Sequence, residues 1–123
     1  MTRQKILIVD DSDLVLEIYK NLLESVGFEV ITSNTPFGTA SIIATEKPNL
    51  VLIDLFMPAL SGDKLVELVR KDKNIQNTKL ILFSSRPADE LKSISASCGA
   101  DGFIQKTGDH MEVVRNVRSW IAV

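Results

Sequence analysis

The chain has 123 residues, 45% of them hydrophobic and 24% charged, with a formal net charge of −2. That is one ordinary domain, 1–123, able to build its own core; it excludes a disordered tail and gives no electrostatic reason to expect nucleic acid or an anionic membrane as a partner. No apolar run approaches the roughly 20 residues of a membrane span. The N-terminal apolar run is too short for a signal-peptide core, and a single cysteine, Cys98, forbids an intramolecular disulfide, so a cytoplasmic protein is expected. Cys98 reads as a small buried or half-buried residue, because no His/Asn pattern accompanies it as a nucleophile would require.

Short apolar runs alternate with segments of helical period from one end to the other. Ile6-Leu7-Ile8-Val9 suits a strand buried on both faces. After it Leu14, Val15, Ile18, Leu22 and Val26 recur at one-face helical spacing, with Ser12 placed to cap the helix and Gly27 to end it. Phe28 to Thr32 reads as a second, more polar strand nearer a sheet edge. A helix is expected from about Thr35 to Lys47, with Pro36 in its first turn and Pro48 beyond its end. Leu50-Val51-Leu52-Ile53 is the third strand, and the loop from Asp54 to Ser61 leads into a helix carrying Leu65, Val66, Leu68 and Val69. Leu80 to Phe83 is the fourth strand, followed by a weak helix from about Pro87 to Ser97. The fifth strand lies near Gly102-Phe103-Ile104. The last helix places Val113, Val114, Val117, Trp120 and Ile121 on one stripe.

Five β-then-α units predict an α/β fold, a doubly wound parallel sheet with helices on both faces. In such sheets ligands bind beyond the carboxyl ends of the strands, so the residues just after each apolar run are the ones to inspect. They are Asp10 and Asp11, Asp54, Ser84 and Ser85, and Lys106. Any one of them has an ordinary explanation: Asp and Ser after a strand often cap the next helix, which is the expected role of Ser12 or Asp63, and Asp13 suits a helix dipole. The set does not. Ionised carboxylates gathered at the ends of apolar strands repel one another and need a cation, and an oxygen-only ligand set favours Mg²⁺, Mn²⁺ or Ca²⁺ over Zn²⁺.

Asp10-Asp11, Asp54-Leu55-Phe56-Met57-Pro58 with Gly62, Ser84-Ser85, and Gly102 to Lys106 occur in register along nearly the whole chain. In this the chain resembles the receiver domains of two-component response regulators, typified by the bacterial chemotaxis regulator. The resemblance implies the flavodoxin-like strand order 2-1-3-4-5. It implies a phosphorylation-activated switch rather than an enzyme, limited to taking a phosphoryl group from a donor and losing it slowly. Asp54 is the implied phosphoacceptor. Mg²⁺ is implied to be held by Asp11, Asp54 and the backbone carbonyl of Phe56, with Asp10 acting through water. Lys106 and Ser84 are implied to contact phosphoryl oxygens, and Ser85 to leave them room. Ser84 and Phe103 are the implied switch pair, whose rearrangement alters the face made by the fourth helix, fifth strand and fifth helix. Implied partners are a sensor histidine kinase or His phosphotransfer protein, a downstream protein target, and a second copy through that same face.

Three positions depart from the family's usual pattern. Thr107 stands where Pro is usual after the lysine; a cis bond before a non-proline costs about 3 kcal/mol, so trans is expected. Phe56 and Arg86 stand at positions that the resemblance implies flank the path of attacking water, so the phosphoryl lifetime should differ from that of the chemotaxis regulator, with Phe56 shielding the acyl phosphate. His110 is expected to be an exposed polar residue, not a phosphodonor.

The same residues admit other functions. Asp11-Ser12-Asp13 resembles the Asp-x-Asp of haloacid-dehalogenase-type phosphatases, but no paired-acid loop follows late in the chain. A flavin site lacks its Ser/Thr/Gly-rich phosphate loop. A docking module that works without phosphorylation is the stronger rival, since Thr107 fits it. With no output domain in this sequence, a free-standing regulator acting by docking is expected.

Overall fold

The computed structural model describes residues 3–75 and 77–121. Ten regular elements alternate: β1 (Lys5–Val9), α1 (Asp13–Ser25), β2 (Glu29–Ser33), α2 (Thr39–Glu46), β3 (Leu50–Ile53), α3 (Gly62–Arg70), β4 (Lys79–Ser84), α4 (Ala88–Cys98), β5 (Gly102–Gln105) and α5 (His110–Ile121), with a short 3₁₀ turn at Lys73–Ile75. The five strands pair in parallel in the order β2-β1-β3-β4-β5. The flavodoxin-like order that the motifs implied is therefore the order observed.

β3 is central, with β1 and β4 on either side of it, and all three are continuously apolar; Ile6 to Val9 and Leu50 to Ile53 have no exposed surface. Alternation along each strand then feeds two cores. Ile6, Ile8, Leu50, Leu52, Ile81, Phe83 and Ile104 face α1 and α5. Leu7, Val9, Val51, Ile53, Leu80 and Leu82 face the layer of α3 and α4, with Ile43 of α2. No helix among the described residues is long and apolar enough to cross a membrane.

The structure corrects three local expectations. In α1 the fully buried face is Leu16, Tyr19 and Leu23; Val15, Leu22 and Val26 of the expected stripe pack part-buried against the same core, but Leu14 and Ile18 are 67% and 40% exposed. That helix carries two adjacent apolar stripes, and the strand faces it must cover select between them. The second helix begins at Thr39, not near Thr35. Thr35 uses its hydroxyl to accept from Phe37 N–H (3.2 Å), Gly38 adopts a left-handed φ of 81°, and Thr39 donates back to Pro36 O (2.7 Å), so Pro36 sits in a turn ahead of the helix. At α3 the N-cap position is Ser61, and Asp63 lies in the first turn instead. Ser12 caps α1 as expected, accepting from Val15 N–H at 3.3 Å, and Val113, Val114 and Val117 of α5 are fully buried. Cys98 is a buried free thiol, raised above the ordinary thiol range chiefly by that burial.

Candidate functional site

The carboxyl rim of the sheet gathers the polar residues by continuing its own ladder. Asp10 N–H donates to Ser33 O (3.1 Å) and Asp54 N–H donates to Val9 O (2.9 Å), so both aspartates leave adjacent strands in register. Asp10 is only 2% exposed; its Oδ1 accepts from Ser12 N–H at 2.9 Å and its Oδ2 from Lys106 Nζ at 2.9 Å. Asp54 is half-buried and its Oδ1 accepts from the same ammonium at 3.1 Å. Asp11 is exposed at the mouth. One carboxylate oxygen from each of the three lies within 4.8 Å of the others.

Lys106 reaches this point because β5 ends beside β4: its backbone N–H donates to Ser84 O at 2.7 Å. The bond before Thr107 is trans, as expected, and the Thr107 hydroxyl accepts from Asp109 N–H at 3.2 Å. Asp109 in turn caps α5, accepting from Met111 and Glu112 N–H. Behind Asp54, a β-carbon on Gly62 would run into the Asp54 backbone carbonyl, so only glycine lets α3 start this close.

Two acids, Asp10 and Asp54, share one ammonium with Asp11 close by, and the titration of Asp54 and Lys106 reflects it. Burial raises the Asp54 carboxyl above the ordinary aspartate range; Lys106 opposes this, while Asp10 and Asp11 add to it. For Lys106, burial works to lower the value, but the hydrogen bond to Asp10 and the charges of Asp54 and Asp10 outweigh it and hold the ammonium above the ordinary lysine range. The single base is over-served and Asp54 is under-served. A hard divalent cation fits such a donor set: carboxylates alone, close together, one of them open to solvent.

The remaining predicted residues engage the site to different degrees. Ser84 is buried, and its Oγ accepts from Arg86 N–H (3.2 Å) rather than meeting the acids. Phe56 is 56% exposed and, with Asp11, Met57, Pro58 and Ser61, lines a shallow pocket of about 330 Å³. Phe103 is half-buried against the layer of α3 and α4, and Ile104 takes the side facing α5. His110 is exposed, its ring 6.0 Å from that of Tyr19.

Sequence reasoning missed two contacts. Arg86 lies over the Phe56 ring, 5.0 Å from its centroid, and is tied by its side chain to Glu90 at 2.8 Å. Phe83 lies beneath Lys106, its ring centroid 5.2 Å from Nζ. The residues were legible as neighbours of the motifs, but neither pair is close in sequence.

A family model for the response regulator receiver domain matches residues 6–118. The chain belongs to the response regulator receiver family. It is a receiver domain of two-component signalling, a class of signalling switches that work with histidine kinases. Protein PilG of Pseudomonas aeruginosa is 26% identical over 117 residues, covering 95% of this chain and 87% of PilG. The probable transcriptional regulator ycf27 of Porphyridium aerugineum is 31% identical over 97% of this chain but 48% of its own length. The chain thus spans most of PilG and about half of such transcriptional regulators. Among solved structures, chemotaxis protein CheY4 of Vibrio cholerae superposes with a TM-score of 0.86 at 22% identity, covering 97% of this chain and 99% of that one, a likeness of fold. A CheY-like receiver domain from Methanospirillum hungatei gives a TM-score of 0.83 at 28% identity, covering 98% and 94%.

Proposed function

We propose that this receiver domain is switched by phosphorylation of Asp54. The observation that carries the reading is the meeting of Asp10, Asp11 and Asp54 with Lys106 at one rim. A carboxylate oxygen of Asp54 attacks phosphorus in line; the new O–P bond forms as the P–N bond to a donor imidazole breaks, and the electron pair leaves with the imidazole. Asp11, Asp54 and the backbone carbonyl of Phe56 are the groups that would hold Mg²⁺, with Asp10 behind them. A bound Mg²⁺ supplies the positive charge that one lysine cannot, against both the acids and the phosphoryl oxygens. Lys106 exchanges a carboxylate for a phosphoryl oxygen, as a point charge suited to it. The Ser84 hydroxyl, whose oxygen accepts from Arg86, is free to donate to another.

The doubly charged phosphoryl group then biases a two-state element. Ser84 moves toward it, Phe103 turns inward from its half-buried site, and the face of α4, β5 and α5 changes its preference for a target or a second copy. The coupling expected is about 1–3 kcal/mol. The Arg86–Phe56 pair shields the acyl phosphate from water. Exposed Leu14 and Ile18, just past Asp11 in the chain, offer an apolar surface for the donor protein.

The test is incubation with acetyl phosphate and Mg²⁺, read by intact mass. A gain of one phosphoryl group, absent in Asp54→Asn, is the expected result. No gain at any Mg²⁺ concentration, and no Trp120 fluorescence response to beryllofluoride, would leave a docking module that works without phosphorylation.

A further inference from the structure

The aim of the Lys106 ammonium depends on more than its two carboxylate partners. Its backbone is fixed at one end by the bond to Ser84 O, after which the chain turns away through Thr107. The ammonium has three N–H groups. Asp10 and Asp54 accept from it at 2.9 and 3.1 Å, and no third acceptor lies within hydrogen-bonding distance among the described residues. Its other near neighbour is the ring of Phe83, 5.2 Å from centroid to Nζ and within the range where a ring quadrupole attracts a cation.

That ring is itself held. Phe83 is 1% exposed, on the strand that also carries Ser84. Tyr19 of α1 meets it edge to face, centroids 4.7 Å apart and planes at 75°, and Tyr19 is in turn flanked by the His110 ring at the start of α5. An edge-on neighbour is the favoured aromatic geometry and leaves the ring face for a cation.

We propose that Phe83, braced by Tyr19, is a positioning residue for phosphoryl transfer: its ring holds the Lys106 ammonium at the point where a phosphoryl oxygen must arrive. This rests on the reading of Asp54 as acceptor. When the phosphoryl group draws Lys106 away from Asp54, the ring limits where the ammonium can go, so it swings between oxygens at one depth. An aliphatic residue at position 83 would fill the same core and hold nothing.

Two measurements separate this from simple packing. The first uses the metal-free, unphosphorylated protein. The ring current of Phe83 displaces the Lys106 Cε protons upfield in NMR spectra, and Phe83→Leu abolishes the displacement; Lys106 protons with ordinary shifts in the natural protein would overturn the proposal. The second replaces Phe83 with 3,4,5-trifluorophenylalanine, which nearly preserves the shape of the ring and removes the negative charge of its face. The rate of phosphorylation at saturating acetyl phosphate should fall about tenfold, with Mg²⁺ affinity unchanged. An unchanged rate overturns the proposal even if Phe83→Leu is impaired, because the loss would then be one of packing. Failure of the natural protein to take up any phosphoryl group overturns the acceptor reading and the transfer role of Phe83 with it, whereas the NMR displacement reports the hold on Lys106 independently.

Discussion

The two ends of the sheet treat charge in opposite ways. At the amino rim, bases and acids are matched. Lys5 reaches Glu46 at 3.3 Å and Glu29 at 3.5 Å, and Asp101 accepts from Arg70 at 2.6 Å and from Leu80 N–H at 2.8 Å. At the carboxyl rim three acids gather with one lysine, which reaches only Asp10 and Asp54, and Asp54 is left harder to ionise than an ordinary aspartate. The first arrangement ties strand starts to neighbouring elements. The second leaves that rim short of positive charge, which a bound cation would supply. The difference separates structural polarity from functional polarity within one fold: charge that satisfies itself stabilises, and charge that awaits a ligand does not.

The comparison breaks most severely at Gly62. Adding a methyl there drives it into the Asp54 backbone carbonyl, which cannot rotate aside as a flexible side chain could. Gly62→Ala should cost about 3 kcal/mol in urea unfolding, at the upper end of overpacking effects. It should also weaken Mg²⁺ binding, because relief requires Asp54 to move. A Gly62→Ala protein with natural stability would mean that α3 is not pinned against the site.

Next comes a paired test of the two rims. Asp101→Ala leaves the buried Leu80 N–H without its acceptor and removes a contact of Arg70, for an expected loss of about 1–3 kcal/mol. Asp54→Asn should do the reverse in metal-free buffer and raise the melting temperature. The sign follows from the raised carboxyl: the folded state binds the Asp54 proton more tightly than the unfolded chain, so the ionised form costs stability at neutral pH. The advantage of Asn should be full above the folded value and disappear below the unfolded one, about 3.9. If both substitutions destabilise equally, the contrast between the rims is false.

Magnesium should close the gap from the other side. At a concentration about a hundredfold above its Kd, a ligand that binds only the folded state stabilises by about 2.7 kcal/mol. Natural protein should gain on that scale in a thermal melt and Asp54→Asn much less, with EDTA restoring the original order.

How far these differences could be read from sequence depends on range. The strands were legible because four-residue apolar runs such as Leu50 to Ile53 admit few readings once punctuated by Pro48 and Asp54. The acids followed, because a parallel sheet delivers the ends of its strands to one rim. The face of α1 was legible only in part: Val15, Leu22 and Val26 do pack against the core, but Leu14 and Ile18 continue their stripe as well as Leu16, Tyr19 and Leu23 do until the strands beneath are known. The start of α2 was misread because Thr35 and Pro36, a fair helix opening, form a turn that Gly38 terminates. The Phe83–Lys106 and Phe56–Arg86 contacts join residues far apart in the chain, where no local period carries information.

The smallest effect expected is at Lys5, and it tests the amino rim by pH. The hydrogen bond to Glu46 comes first among the causes that raise its pKa, with Glu29 adding charge and desolvation opposing. A base held above its unfolded value stabilises the fold at every pH below that unfolded value, about 10.4. The contribution is then lost as pH rises through the folded value. Lys5→Gln should therefore be slightly less stable than the natural protein at neutral pH and converge with it in strongly alkaline buffer. High salt should also narrow the difference, since exposed pairs are screened. A gap that widened with rising pH would show that Lys5 acts through its aliphatic stem rather than its charge, and the matched-charge account of that rim would fail there.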